Sequence, residues 1–371
     1  MRPRLHALTT LRFFAALHVV LFHMRVVGIL PGGPWWYQNF ASIGFVGVNF
    51  FFVLSGFILV YTYDGPQLSP QKFWWARFAR IYPAYLLSLI VAAPFFFFAV
   101  RNLDLPFFAW SKQHLVLACV LTLALLQSWV PQAALTWNSV CWSLSVETFF
   151  YLVFPFALLR SKKLSEKKLL LCLLASWLVS LCFSLSYIYF HPDGIDKINS
   201  GETNLFWKNV LSFNPLVRLP EFLVGMFAGK LFFARSTDKK IGTPLIVAGL
   251  LGFAAVVLFA PQIPNPVLSA GILSPAFAAI IYGAAQQPKW TSFLTLPALV
   301  LLGDASYSLY LLHSLVITRI FDSLRPWSWS LRVIGSLVAA ILISIIAYRL
   351  VEEPARRLLR PKTKIVNQPT R

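Results

Sequence analysis

A chain of 371 residues that is 58% hydrophobic and only 12% charged is not an ordinary soluble domain, which carries about 25% charged residues. Its formal net charge of +19 does not mark a nucleic-acid binder, because the lysines and arginines are scattered through short loops between apolar runs rather than gathered on one module. Membrane lipid is the expected surrounding, with the basic residues placed as cytoplasmic loops place them.

Eleven apolar segments follow in chain order, near 9–28, 43–62, 81–100, 115–130, 142–159, 169–190, 209–233, 243–260, 268–285, 297–319 and 331–352. A helix of about 20 residues crosses the hydrocarbon, and the strands a barrel would need are absent from the pattern. The expected fold class is all-α: a polytopic integral membrane protein with about ten transmembrane helices around a central cavity. Ten rather than eleven follows from charge. With a cytoplasmic N-terminus and a non-crossing 115–130 stretch, the basic clusters at 160–168, 230–241 and 349–371 all fall inside; a crossing there would turn every later cluster outward. The 115–141 segment is therefore expected to be re-entrant or surface-lying, and both termini cytoplasmic. Residues 1–360 read as one transmembrane domain and 361–371 as a basic cytoplasmic tail. No cleavable signal peptide is recognised.

The first segment holds "TLRFFAALHVVLFHM" (10–24), with three ionisable groups. Arg12 and His23 are eleven residues apart, which puts them on one helix face about 16 Å apart along the axis. His18 lies about 140° round and reads as a packed core histidine. Ionisable groups within a membrane are functional candidates; the alternatives are a snorkelling Arg12 and a His23 bonded between helices.

"KFWWARFARIYPAY" (72–85) follows with Lys72, Arg77 and Arg80 on the cytoplasmic side. Arg77 and Arg80 are helix neighbours, and paired guanidiniums match phosphate oxygens. Phe73, Trp74 and Trp75 are candidates to stack a purine. An ordinary positive-inside loop with interfacial aromatics would look the same. No Walker or GxGxxG loop is present. "NSVCWSLSVETFFYLVFP" (138–155) places Glu147 near the outer start of its helix, at the expected depth of His23, where a carboxylate would orient the imidazole as a general base.

Later motifs read closer to packing. Gly225 and Gly229 form a small-xxx-small contact. Arg218 and Glu221 are spaced to pair on one helix. Asp304 is a candidate N-cap, which puts His313 near mid-membrane as a cavity residue, and Glu352 and Glu353 are expected to pair with Arg356 or Arg357. Cys119, Cys141, Cys172 and Cys182 lack metal spacing and read as buried thiols; no metal site is expected.

Taken together, R-x10-H at Arg12 and His23, "GVNFFFVLSGFIL" (47–59), "RFARIYPAY" (77–85), "WSLSVETFFYLVFP" (142–155), "RLPEFLVGMFAG" (218–229), "SYSLYLLH" (306–313) and "VEEPAR" (351–356) resemble the acyltransferase 3 family of membrane acyltransferases, over about residues 5–358. The resemblance implies an acyl-CoA donor, often acetyl-CoA, taken from the cytoplasm, with no bound cofactor. It implies that His23 is essential and that Arg77 and Arg80 matter. The chain departs from relatives that often carry an acidic residue where it has Asn49.

The expected activity is O-acylation of a saccharide or glycoconjugate of the cell envelope, at the bacterial plasma (inner) membrane. Arg77 and Arg80, with Arg12 and Lys72, would hold acyl-CoA. His23 would act as base, oriented by Glu147. Asn49, Ser143 and Tyr307 are candidate oxyanion donors, and Trp142 and His313 candidate cavity residues. The alternative is a transporter for an anionic or glycosylated lipid, weakened by the lack of internal repeats.

Overall fold

The computed structural model describes residues 2–65, 68–234 and 239–359, so the 361–371 tail lies outside the described residues. Among them the only regular structure is helical. Ten longer helices organise it: α1 (His6–Val26), α2 (Val46–Tyr63), α3 (Pro70–Asn102), α4 (Trp142–Ser161), α5 (Glu166–Phe190), α6 (Pro215–Ala234), α7 (Gly242–Leu258), α8 (Ser274–Ala285), α9 (Pro297–Ser323) and α10 (Trp329–Ala347). Eight spans, with α8 counted from Asn265 and α10 to Leu359, are long and apolar enough to cross a membrane. The other two are α7, apolar but 17 residues long, and α6, whose charges are paired within the protein. The chain is a multi-pass membrane protein.

The 115–141 stretch does not build a span. Its helix, Leu115–Leu123, has nine residues and covers about 14 Å, under half of the hydrocarbon. Positive φ at Leu125 and Trp137 then bends the chain. Irregular backbone buried in an apolar setting must find partners, and polar side chains supply them. Gln127 Nε2 donates to the Cys141 carbonyl at 3.0 Å, Ser128 Oγ to Trp142 at 2.7 Å and Asn138 Nδ2 to Leu311 at 2.9 Å.

Two expected segments are broken. The 209–233 run divides into Phe206–Phe213 and α6, because Pro215 disfavours a helical Asn214 and starts α6 with a preset φ. The 268–285 run divides into Asn265–Ser269 and α8 at Gly271, whose φ is +81°. A third departure lies at the C-terminal end, where residues 348–352 form a π turn between α10 and Glu353–Leu359.

Helix α1 packs on α2 and α9, α6 on α2 and α5, α9 on α10, and α7 on α8. The α2–α6 contact is backbone on backbone. A Cβ at Gly225 would come 1.8 Å from the Val53 carbonyl oxygen, and one at Gly56 would come 2.1 Å from that of Phe222. The small-residue reading of Gly225 is thereby met. Helices α5 and α10 instead turn leucine, isoleucine and phenylalanine outward, among them Leu171, Phe183, Ile334 and Leu342, as lipid contact requires.

Candidate active site

A cavity of about 660 Å³ is enclosed by α1, α2, α3, α4 and α9. It opens where the exposed Arg2 and Arg4 stand, and its walls run inward through Arg12, Arg77, Arg80, Glu147 and Tyr307 to Ser143 and Tyr310. Arg12, on the second turn of α1, and Arg80, on the third turn of α3, enter from opposite walls and repel each other. Glu352 and Glu147 lie within electrostatic reach of both and supply counter-charge. Neither guanidinium makes a hydrogen bond or ion pair with protein among the described residues. Arg77 is held: it donates to Tyr63 Oη at 2.8 Å and lies among the rings of Tyr63, Phe73 and Tyr151.

Glu147 accepts hydrogen bonds from Ser55 Oγ at 3.2 Å and from Tyr151 Oη. At the inner end Tyr310 Oη donates to the Val140 carbonyl at 2.8 Å and lies 2.7 Å from Ser143 Oγ. One turn further along α9, His313 Nε2 is 3.1 Å from His23 Nδ1, so two histidines from distant parts of the chain meet beyond the cavity's inner end.

Residues 5–349 match the acyltransferase 3 family, described as an acyltransferase domain. The chain belongs to this family. Among similar proteins, the acyltransferase MdmB of Streptomyces mycarofaciens is 28% identical over 99% of this chain and 95% of its own length. The exopolysaccharide production protein ExoZ of Rhizobium meliloti is 27% identical over 85% and 90%. The O-acetyltransferase OatA of Staphylococcus aureus is 25% identical over 96% of this chain, which spans only 58% of that protein. No solved structure matches. Membership makes the protein a membrane acyltransferase, and the transporter alternative gives way to it.

The family motifs are assembled differently from expectation. Glu147 does not touch His23. The helix bearing it starts at Trp142, so Ser143 is level with Tyr310 and Glu147 lies one turn, about 6 Å, further along α4, facing the arginines. His23 bonds instead to the Val19 carbonyl at 3.0 Å and to His313. Neither histidine lines the cavity; His313 is fully buried, a partner to His23 rather than a wall residue. Asp304 is no N-cap, since α9 begins at Pro297; it pairs with Arg4.

Other candidates prove to be scaffold. Asn49 is 1% exposed and outside the cavity. Its Oδ1 accepts from Arg218 Nη2 at 2.8 Å, and its Nδ2 donates to Ser269 at 3.2 Å. The expected Arg218–Glu221 pair forms at 3.0 Å with both side chains buried. Trp142 packs on Phe52 and Phe213 and over Arg218 and does not line the cavity. Lys72 is exposed and does not line the cavity, because five residues before Arg77 it lies about 140° round the helix. Phe73 is buried and has no free face for a purine. His18 is a packed residue, its Nε2–H donating to the Phe40 carbonyl at 2.7 Å. Ser143 and Tyr307 do line the cavity, although Tyr307 Oη donates to Ile81 at 2.9 Å.

Glu352 was not among the expected site residues. It is 4% exposed, accepts from Ser308 Oγ at 3.0 Å, and faces Arg12 and Arg80. The motif "VEEPAR" marks the two glutamates but not which turns inward. The π turn decides it, sending Glu352 into the interior while Glu353 pairs with Arg357 at 2.5 Å.

Proposed function

We propose that this acyltransferase moves an acyl group, acetyl by default, from cytoplasmic acyl-CoA to a hydroxyl of a saccharide or glycoconjugate of the cell envelope, at the bacterial plasma membrane with both termini cytoplasmic. The observation that carries the reading is the pair of unbonded guanidiniums, Arg12 and Arg80, inside a cavity of a membrane protein. Buried cations are costly and are kept where they meet a ligand. Two arginines match the oxygens of a phosphate-bearing donor. The names of OatA and ExoZ, an O-acetyltransferase and an exopolysaccharide production protein, favour transfer to oxygen on an envelope glycan.

In this reading the donor's phosphates rest on Arg12 and Arg80, with Arg2, Arg4 and Arg356 lining the same cavity. The thioester arm points along α1, whose His23 stands about 16 Å beyond Arg12. That suits a donor with charge at one end and its reactive carbonyl at the other. His23 takes the acceptor's hydroxyl proton, the oxygen attacks the thioester carbon, the carbon–sulfur bond breaks, and the proton passes to the leaving thiolate. Ser143 and Tyr310 line the inner end of the cavity, where a hydroxyl would stabilise the developing oxyanion.

Release of free thiol from acetyl-CoA by membranes carrying the protein tests this, with and without an envelope-glycan extract. Acceptor-dependent release by the wild type, lost in His23→Ala and in Arg12→Ala/Arg80→Ala, supports it. Normal release by a well-folded His23→Ala protein would sink the mechanism.

A further inference from the structure

The two histidines constrain each other's protons. His313 Nδ1 lies 2.8 Å from the Tyr310 carbonyl oxygen and 3.2 Å from that of Leu309. Carbonyl oxygens only accept, so His313 Nδ1 carries a hydrogen and neutral His313 has its lone pair on Nε2. That lone pair is 3.1 Å from His23 Nδ1, which also lies 3.0 Å from the Val19 carbonyl oxygen. Both neighbours of His23 Nδ1 are acceptors, so this nitrogen too carries a hydrogen. The lone pair of His23 is left on Nε2, which has no protein partner among the described residues. The ring itself is only partly covered, whereas His313 is sealed.

We propose that His313 is the positioning residue for His23, fixing its tautomer and aim so that Nε2 is the base. The inference rests on reading His23 as the proton acceptor. The group that orients a catalytic histidine sets which nitrogen is basic; here that group is a second imidazole, itself anchored by two backbone carbonyls of α9. When Nε2 takes the hydroxyl proton, the positive charge spreads through Nδ1–H to His313, whose own N–H points at two carbonyl dipoles. Among the described residues no carboxylate hydrogen-bonds to either ring, so the cation is held loosely and its proton is readily given to the thiolate.

Three substitutions separate orientation from packing. In His313→Asn the short amide keeps the bond to the α9 carbonyls but falls short of His23. In His313→Gln the longer amide reaches His23 with its carbonyl oxygen. His313→Leu has neither. Thiol release from acetyl-CoA should fall about 10–100-fold in kcat for Asn and Leu, the usual loss when a supporting partner is removed, with KM for acetyl-CoA unchanged. Gln should recover most of the rate. Thermal unfolding of the purified proteins checks that they are equally folded.

Equal rates for Gln and Asn at equal stability, or near-normal rates for Leu, would overturn the proposal. Nitrogen NMR of [¹⁵N]histidine-labelled protein, with His23 identified by its loss in His23→Ala, needs no substrate. It should report a protonated Nδ1 and bare Nε2 at His23, and a protonated Nε2 would overturn the proposal. A wild type that releases no thiol bears on the choice of donor alone; a His23 nitrogen spectrum that is unchanged in His313→Leu would then overturn the role of His313, because the Val19 carbonyl would suffice.

Discussion

Arg12 and Arg80 confront each other across one cavity from α1 and α3, and neither guanidinium is bonded to protein among the described residues. A residue that serves the fold is held by the fold. These two have counter-charge nearby but no bond to the fold among the described residues, so their removal should separate binding from stability.

Arg12→Gln and Arg80→Gln should each raise KM for acetyl-CoA about 10–100-fold, the equivalent of about 1.5–3 kcal/mol for a charge-assisted hydrogen bond. The melting temperature should hold, since each change relieves the repulsion between the arginines and gives up an attraction to Glu352. Lysine should restore only part of the affinity at either position, because it lacks the planar fork. Lys72→Ala, on the exposed side of the same helix, should leave KM unchanged. Steady-state kinetics with a parallel thermal melt would check all five variants.

Glu352→Gln removes counter-charge from the arginines and should destabilise the empty protein by about 1–3 kcal/mol. An anionic ligand supplies what was lost, so acetyl-CoA should raise the melting temperature of this variant by more than it raises that of the wild type. Equal shifts would mean that Glu352 does not act through the arginines.

The Arg218–Glu221 pair belongs to the scaffold. Arg218→Met strands a buried carboxylate and should cost about 3–5 kcal/mol, whereas Arg218→Met/Glu221→Met should recover most of it. Asn49→Asp would place a second carboxylate on Arg218 and should leave kcat within about twofold, because surface and scaffold changes away from the chemistry act on stability. A large fall in kcat with unchanged melting would move Asn49 into the site.

Gly225→Ala should disrupt folding, since its Cβ would fall 1.8 Å from the Val53 carbonyl oxygen and the helices must part. Overpacking of this kind costs about 1–3 kcal/mol or more. Gly65→Ala, with nothing within 4 Å, is the control. Yield of detergent-stable protein would compare them.

Apolar length made the ten helices legible, and the loop charges marked 115–141 as a stretch that does not cross. The R-x10-H spacing was legible too, because helical geometry follows from counting. The breaks at Asn214 and Gly271 were less so, since a proline such as Pro215 or one glycine inside an apolar run kinks a membrane helix as readily as it ends one. Glu147 was misplaced by about a turn because its depth depends on where α4 starts. The meeting of His23 with His313 depends on how α1 packs on α9, and no spacing in the chain encodes a contact between residues 290 apart.

The π turn at residues 348–352 carries one residue more than an α-helical path needs. Closing residues 348–352 into regular α geometry at unchanged length would swing Glu352 by up to about 100° relative to α10. The chain would keep every charge it now has, yet the two arginines would lose one of their counter-ions. A change that only straightened this turn would thus act as an electrostatic mutation without touching a charged residue.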